Sequence, residues 1–200
     1  MSTRSIALPD VDELAGISLL DTMRRRRSVR AYRSGGLSWR EIGQLAWAAQ
    51  GITDNVSALR TVPSAGALYP LELDIATQDG TFRYRPATHA VSQRTAADIR
   101  TRLAHAAYEQ SWLASAACIF AIVALPNRTE SKYGNRALRY VHLEAGHAAQ
   151  NLLLMAAGLN LGGTPVGAFD DDAVARTLEL GRNEAPACLV PIGWPSTTST

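Results

Sequence analysis

Apolar positions recur along this chain at two spacings, and the change from one to the other separates helices from strands. Ile42, Leu45, Ala46 and Ala49 repeat at helical spacing behind Ser38, where Glu41 completes a capping box, and Gly51 stops the run. Ser18 to Arg27 reads as an earlier helix, with Ser18 as N-cap, Asp21 in the first turn and arginines in the last, where they suit the helix dipole. Leu71 to Thr77 and Phe82 to Tyr84 flank Asp79-Gly80, a hairpin signal. Ala96 to Tyr108 reads as an amphipathic helix, and the continuous apolar run Ala117 to Leu125 as a central strand. Arg136 to Leu159 is the longest helix expected. Its apolar faces nearly surround it, which predicts burial in a large core or at a subunit contact. Asp171 to Leu180 reads as a short surface helix and Ala187 to Ile192 as a final strand.

The rest is less regular. Residues 1–17 show no clear period and read as an N-terminal arm or a short helix, and Ser34-Gly35-Gly36 as a turn. Residues 52–70 read as a long irregular loop, a length more often functional than idle in a small domain. With no repeat, linker or composition break, the expectation is one α+β domain over residues 18–195 and a flexible tail at 196–200.

Bulk properties narrow the function. Two hundred residues at 46% hydrophobic content suit one core, or a subunit that completes its core by dimerising. Twenty basic against eighteen acidic residues leave a net charge of +2, which makes no general case for nucleic acid or a membrane surface; only the run Arg24 to Arg27 argues otherwise. No apolar run approaches the roughly 20 residues that cross a bilayer, and no signal-peptide pattern is visible. Cys118 and Cys188 lie in apolar runs as expected of buried, reduced thiols, so the chain reads as cytoplasmic.

Three stretches can carry chemistry. Thr164-Pro165-Val166-Gly167-Ala168-Phe169-Asp170 follows Gly162-Gly163, and this sequence of glycine, proline and glycine suits bare backbone lying beside a flat ligand. Arg26, Ser28 and Arg30 alternate in an extended segment leaving a helix, so two guanidinium forks and a hydroxyl would face one side. Pro63-Ser64-Ala65-Gly66-Ala67-Leu68-Tyr69-Pro70 is a proline-bracketed loop able to offer backbone amides or cover a ring with Leu68 or Tyr69. His142, Glu144 and His147 share a helix, but their spacing does not stack all three on one face, so no metal site is expected. Gly158 to Gly163 ends a helix and is no dinucleotide fingerprint. The four tryptophans read as core or interface residues.

The strings Arg26-Arg27-Ser28-Val29-Arg30, Pro63-Ser64-Ala65-Gly66 and Pro165-Val166-Gly167-Ala168-Phe169 occur in the order found in nitroreductase-like FMN enzymes, which the chain resembles over roughly residues 20–195. Arg60 to Pro70 and Lys132-Tyr133-Gly134-Asn135-Arg136 are similar to one branch, the SagB-type dehydrogenases that include azoline oxidases. The resemblance implies a nitroreductase-like α+β fold, with a central, mainly antiparallel sheet flanked by helices, in an intertwined homodimer with two interfacial FMN sites. It implies that Arg26, Arg27, Ser28 and Arg30 hold FMN oxygens, that Pro63, Ser64, Ala65 and Gly66 reach the flavin from the other subunit, and that Pro165, Val166, Gly167 and Ala168 line the ring. Gln110 is a candidate for the pyrimidine edge. Lys132 and Tyr133 are the implied catalytic pair.

The chain departs from many nitroreductases after Pro195, where the tail carries no lysine or arginine; the phosphate grip then falls on Arg26 and Arg30, with Arg60 or Arg182 as further candidates. The expectation is hydride transfer at flavin N5 by a dehydrogenase or oxidase acting on a small heterocycle or peptide-derived substrate, with biosynthetic enzymes as partners. The alternatives are an NAD(P)H-dependent nitro or quinone reductase, and a flavin-binding or partner protein without turnover.

Overall fold

Local capping chemistry sets the first helices. The structure, a computed structural model, describes residues 4–11, 17–54 and 56–196. Its helices are α1 (Leu19–Arg25), α2 (Trp39–Gln50), α3 (Arg100–Ala106), α4 (Asn127–Tyr133), α5 (Ala137–Gly158) and α6 (Asp171–Thr177). The Ser18 hydroxyl accepts from the Asp21 amide at 3.1 Å to open α1, and Ser38 and Glu41 form the expected reciprocal capping box at α2. α3 begins four residues later than the apolar pattern suggests, because the Asp98 carboxylate accepts from the Arg100 amide at 3.1 Å and holds a turn there.

The strands are β1 (Ser5–Ala7), β2 (Ile52–Asp54), β3 (Leu59–Arg60), β4 (Leu71–Thr77), β5 (Gly80–Arg85), β6 (Ala90–Thr95), β7 (Cys118–Ala124), β8 (Gly162–Gly163) and β9 (Ala185–Gly193). Seven of them form one antiparallel sheet in the order β1-β6-β5-β4-β7-β9-β8, while β2 and β3 make a separate ribbon. Three findings go beyond the sequence reading. The N-terminal segment supplies an edge strand, with Ser5 opposite Ser92 and Ala7 opposite Ala90. Within the expected loop, Ile52–Asp54 and Leu59–Arg60 pair as a ribbon. Lys132 and Tyr133 end a helix that no apolar period marks.

The central strand β7 is buried on both faces. Cys118, Phe120, Ile122 and Ala124 face a large core under α2 and α5, with Leu45, Leu73, Phe82 and Leu152. Ile119 and Ala121 face a smaller core under α3 and α6, with Leu103, Val174 and Leu189. Asp74 of β4, fully buried, lies on the smaller side. It accepts from Arg83 Nε at 2.7 Å, Arg83 Nη2 at 2.9 Å and Arg94 Nη1 at 3.2 Å. Arg83 also pairs with Glu184, and Arg94 Nη2 donates to the Glu179 carbonyl at 2.7 Å. One carboxylate thus clamps β4, β5 and β6 to the turn between α6 and β9. Removing it leaves Arg94 without a carboxylate partner and Arg83 with Glu184 alone, so Asp74→Ala is expected to lower the unfolding free energy by about 3–5 kcal/mol, read from urea denaturation.

Candidate functional site

The stretch after β8 is pinned from behind and bare in front. Val166 exchanges both backbone hydrogen bonds with Leu189, at 2.7 and 3.0 Å, and Val166 and Phe169 are buried in the smaller core. Asp170 caps α6 by accepting from the Ala173 amide at 2.8 Å. Pro165, Gly167 and Ala168 are exposed between these anchors. A Cβ added at Gly167 would meet no atom within 4 Å, so the wall opens onto free space there. Gln110, a candidate for a ligand edge, donates through Nε2 to the Ala168 carbonyl at 3.0 Å and steadies the wall from its far end.

The arginine segment lies beside this wall. Ser28 bridges Gly163 in parallel, and the Val29 amide donates to the Gly163 carbonyl at 3.1 Å. In that register residues 28 to 30 run alongside residues 163 to 165. Val29 is buried while Ser28 and Arg30 are exposed, as alternate positions on an extended chain must be. The approach is close: a Cβ on Gly162 would lie 2.4 Å from Val29 Cγ2, and one on Gly163 would lie 2.6 Å from the Pro191 carbonyl oxygen. Arg30 rests with Cζ 5.9 Å over the Trp112 ring, so a tryptophan read only as core or interface supports a candidate site residue. Arg26 lines a groove of about 220 Å³ with Val29, Leu153 and Gly162. Arg27 also borders that groove, but its guanidinium turns back, donating to the Arg24 and Arg26 carbonyls at 2.9 and 2.8 Å, and finishes α1.

Leu153 also borders a groove of about 440 Å³ whose lining includes His142, Ala149, Pro165 and Cys188. Burial pushes the Cys188 thiol up to about 11, so it stays protonated and inert there at neutral pH. A basic groove and a broader one lined by small and apolar residues thus meet at Leu153, and the donor set along them suits a ligand with phosphate and hydroxyl oxygens and a flat ring.

The Pro63 loop is strained and tightly held. Gly66, Ala67 and Tyr69 have φ of 63°, 54° and 47°, and two of these residues carry side chains. The Ser64 hydroxyl accepts from the Tyr69 amide at 2.9 Å. Arg60 lies 4.5 Å over the Tyr69 ring and donates to Gln50 Oε1 at 2.5 Å, so it braces this loop. Lys132 and Tyr133 converge on Gly66: a Cβ there would stand 2.9 Å from Lys132 Nζ and 3.0 Å from Tyr133 Oη. Tyr133 packs edge-on against Tyr140 of α5, centroids 4.9 Å apart. Arg182 is exposed in the turn before β9.

Glu144, weighed in the sequence only as a metal ligand, faces inward. It is 2% exposed, and neither carboxyl oxygen has a hydrogen-bond partner. Burial pushes its carboxyl above the usual range, opposed by the Ser64 hydroxyl and by Arg60. Glu144 and His147 line one cavity and His142 the groove by Pro165, so the three do not converge. Among the described residues, no three His, Cys, Asp or Glu side chains gather as metal ligands.

Comparison with known proteins identifies the family. Residues 23–194 match the nitroreductase family model. A candidate nitroreductase of Methanocaldococcus jannaschii is 41% identical over 197 residues, covering 96% of each chain. The crystal structure of a candidate nitroreductase from Ralstonia eutropha JMP134 superimposes with a TM-score of 0.88 at 26% identity, over 97% of this chain and 90% of that one. A chain of the E. coli microcin synthetase McbBCD complex, solved with truncated pro-MccB17 bound, shares the fold with a TM-score of 0.78 at 23% identity, over 94% of this chain and 76% of its own. The chain belongs to the nitroreductase family and is an oxidoreductase of that family.

The Val29–Gly162 contact generates a direct test. Gly162→Ala is expected to lower stability by about 1–3 kcal/mol through overpacking. Val29→Ala in the same chain removes the nearest atom and should recover part of that loss in chemical denaturation.

Proposed function

We propose that this chain is an FMN-dependent dehydrogenase or oxidase, similar to the SagB-type branch, that works as a homodimer on a small heterocycle or peptide-derived substrate. The observation that carries the reading is the convergence of Lys132 Nζ and Tyr133 Oη on Gly66, in a loop whose Ala67 and Tyr69 are held in left-handed conformation. An amine and a phenol held at one point can take a proton from a substrate carbon, which a dehydrogenase needs and a simple electron carrier does not.

The chain's donors fit the cofactor. Arg26 and Arg30 offer guanidinium forks to phosphate and pyrimidine-edge oxygens, and Ser28 a hydroxyl to the ribityl chain. Pro165, Val166, Gly167 and Ala168 supply a flat wall, and the exposed backbone at Gly167 and Ala168 can donate where negative charge develops on the ring. Bound FMN supplies the hydride-accepting ring. Lys132 and Tyr133 hold the proton that leaves the substrate as its bond is oxidised.

Exposed apolar side chains support a second copy. Leu19, Leu20 and Met23 of α1 are 65%, 55% and 53% exposed, and Leu138 and Leu143 of α5 are 53% and 54% exposed. In such a dimer the Pro63, Ser64, Ala65 and Gly66 loop would reach the partner's flavin. Ring-forming biosynthetic enzymes are the natural partners for a substrate of this kind. No helix among the described residues is long and apolar enough to cross a membrane. The 41% identity to a candidate nitroreductase favours a second reading, an NAD(P)H-dependent nitro or quinone reductase.

Purified protein is expected to be yellow and to release FMN on denaturation; a colourless preparation that ignores added FMN overturns the proposal. Anaerobic bleaching by NAD(P)H would favour the reductase reading. Lys132→Ala should keep its flavin while substrate oxidation falls by about 100-fold or more. Unchanged turnover would remove Lys132 from catalysis.

A further inference from the structure

Lys132 is the one lysine among these 200 residues, and the other permanent cations are nineteen arginines. An arginine keeps its proton in a protein, whereas a lysine amine can release and take one, so the transfer proposed above falls on a single flexible side chain. That side chain is exposed and stands on α4, a helix of seven residues whose buried residue is Thr129. No apolar stripe fixes such a helix. Its hold on the loop at Gly66 is polar. Arg128, one turn before Lys132, donates through Nη1 to the Tyr69 carbonyl at 2.9 Å and through Nη2 to Glu72 Oε1 at 2.5 Å. The Leu125 amide donates to the Pro70 carbonyl at 2.7 Å ahead of the helix, and Tyr133 packs on Tyr140 at its end.

The residue that Arg128 grips is itself clamped. Tyr69 has a φ of 47°, a conformation that residues with side chains rarely adopt. Its amide donates to the Ser64 hydroxyl at 2.9 Å, and its ring lies 4.5 Å beneath Arg60. Arg60, bonded to Gln50 at the end of α2, thus holds the loop from one side. Arg128 ties it to α4 from the other.

We infer that Arg128 is the positioning residue that sets Lys132 and Tyr133 against the loop. Residues 128 and 132 share one helical face at i and i+4, where two cations repel. Glu72 and the Tyr69 carbonyl offset that repulsion by engaging two arms of the Arg128 fork, a pair of bonds on separate elements that an ammonium cannot span in the same way. Lys132 Nζ stands 2.9 Å from the point a Cβ on Gly66 would occupy. Releasing α4 from Tyr69 and Glu72 would let the amine leave that point. In the proposed dimer the loop and the pair it holds would face the partner's flavin together. The inference deepens the proposed function by naming what holds its proton-transfer pair, and it rests on that reading only for the effect on turnover.

The single lysine gives a readout that needs no substrate. Reductive methylation of the purified protein with isotope-labelled formaldehyde places two methyl groups on Lys132, and Lys132→Arg assigns their NMR resonance by its loss. In the wild type that resonance should be shifted from free dimethyl-lysine, because Nζ lies 5.6 Å from the Tyr133 ring centroid. Arg128→Ala is expected to move it to the free position. A resonance left in place in folded Arg128→Ala, even with a lower melting temperature, would mark Arg128 as structural and overturn the inference. Arg128→Met keeps the aliphatic stem without the donors and reads the same resonance should Arg128→Ala fail to fold.

Turnover is the second readout, with a short peptide carrying one thiazoline as the probe. Arg128→Ala should lower kcat by about 10- to 100-fold while KM stays within roughly threefold and flavin content is unchanged. A raised KM with kcat kept would place Arg128 on the substrate and overturn the inference. If Lys132→Ala retains turnover while Arg128→Ala still frees the lysine resonance, the catalytic role of Lys132 fails and the positioning stands. If Lys132→Ala loses turnover and the resonance stays in place in Arg128→Ala, the role of Arg128 alone is removed.

Discussion

The distance between two stretches of backbone governs this site. Gly162 and Gly163 form the edge strand β8, with β9 on one side and residues 28–30 on the other. Neither side leaves room for a methyl group at both glycines. That closeness lets the Val29 amide reach the Gly163 carbonyl, which in turn places Ser28 and Arg30 beside Pro165. The arginines owe their position to main-chain contact and to one buried valine. Few of their own side-chain contacts hold them, so the guanidinium groups remain available to a ligand.

The two buried carboxylates show how the fold divides its work. Asp74 joins strands and a distant turn through bidentate and secondary ion pairs, and its charge is matched where it lies. Glu144 is enclosed to a similar degree without that matching. Its neighbours are a strained loop, with two side-chain-bearing residues in left-handed conformation, and a helix end carrying an amine and a phenol. Unsatisfied polar groups and backbone strain both lower stability, and here they occur together within one region. The scaffold that tolerates them is the doubly covered strand β7 and the long helix α5.

What could be read from the sequence follows the range of the interactions. Ser18, Ser38 and Glu41 act over three residues, and both helix starts were legible from them. The Asp79-Gly80 hairpin and the apolar run of β7 were legible for the same reason. β1, β2, β3 and β6 were not, since short or edge strands are selected by partners remote in the chain rather than by their own pattern. Lys132 and Tyr133 end α4, and a polar surface turn of helix looks like a loop when no apolar period marks it. In the site, the alternation of Arg26, Ser28 and Arg30 was visible; the return of Arg27 onto its own helix was not, because it depends on which way one flexible side chain folds. Glu144 was overlooked because burial of one face of α5 depends on how it packs, and its acidic residue sits between two histidines that drew attention to metals. Trp112 beneath Arg30 and the Asp74 cluster are long-range contacts with no local signature.

Residues 28–32 are stitched to both late parts of the chain. Ser28 bridges Gly163, Tyr32 bridges Pro195, and the Ser196 amide donates to the Ala31 carbonyl at 3.0 Å. The arginine segment therefore meets its neighbours only after a long stretch of intervening chain has closed into a loop, a contact that is slow to form compared with the local helix caps. A chain in which β8 or β9 failed to dock would carry the arginines without the backbone that orders them.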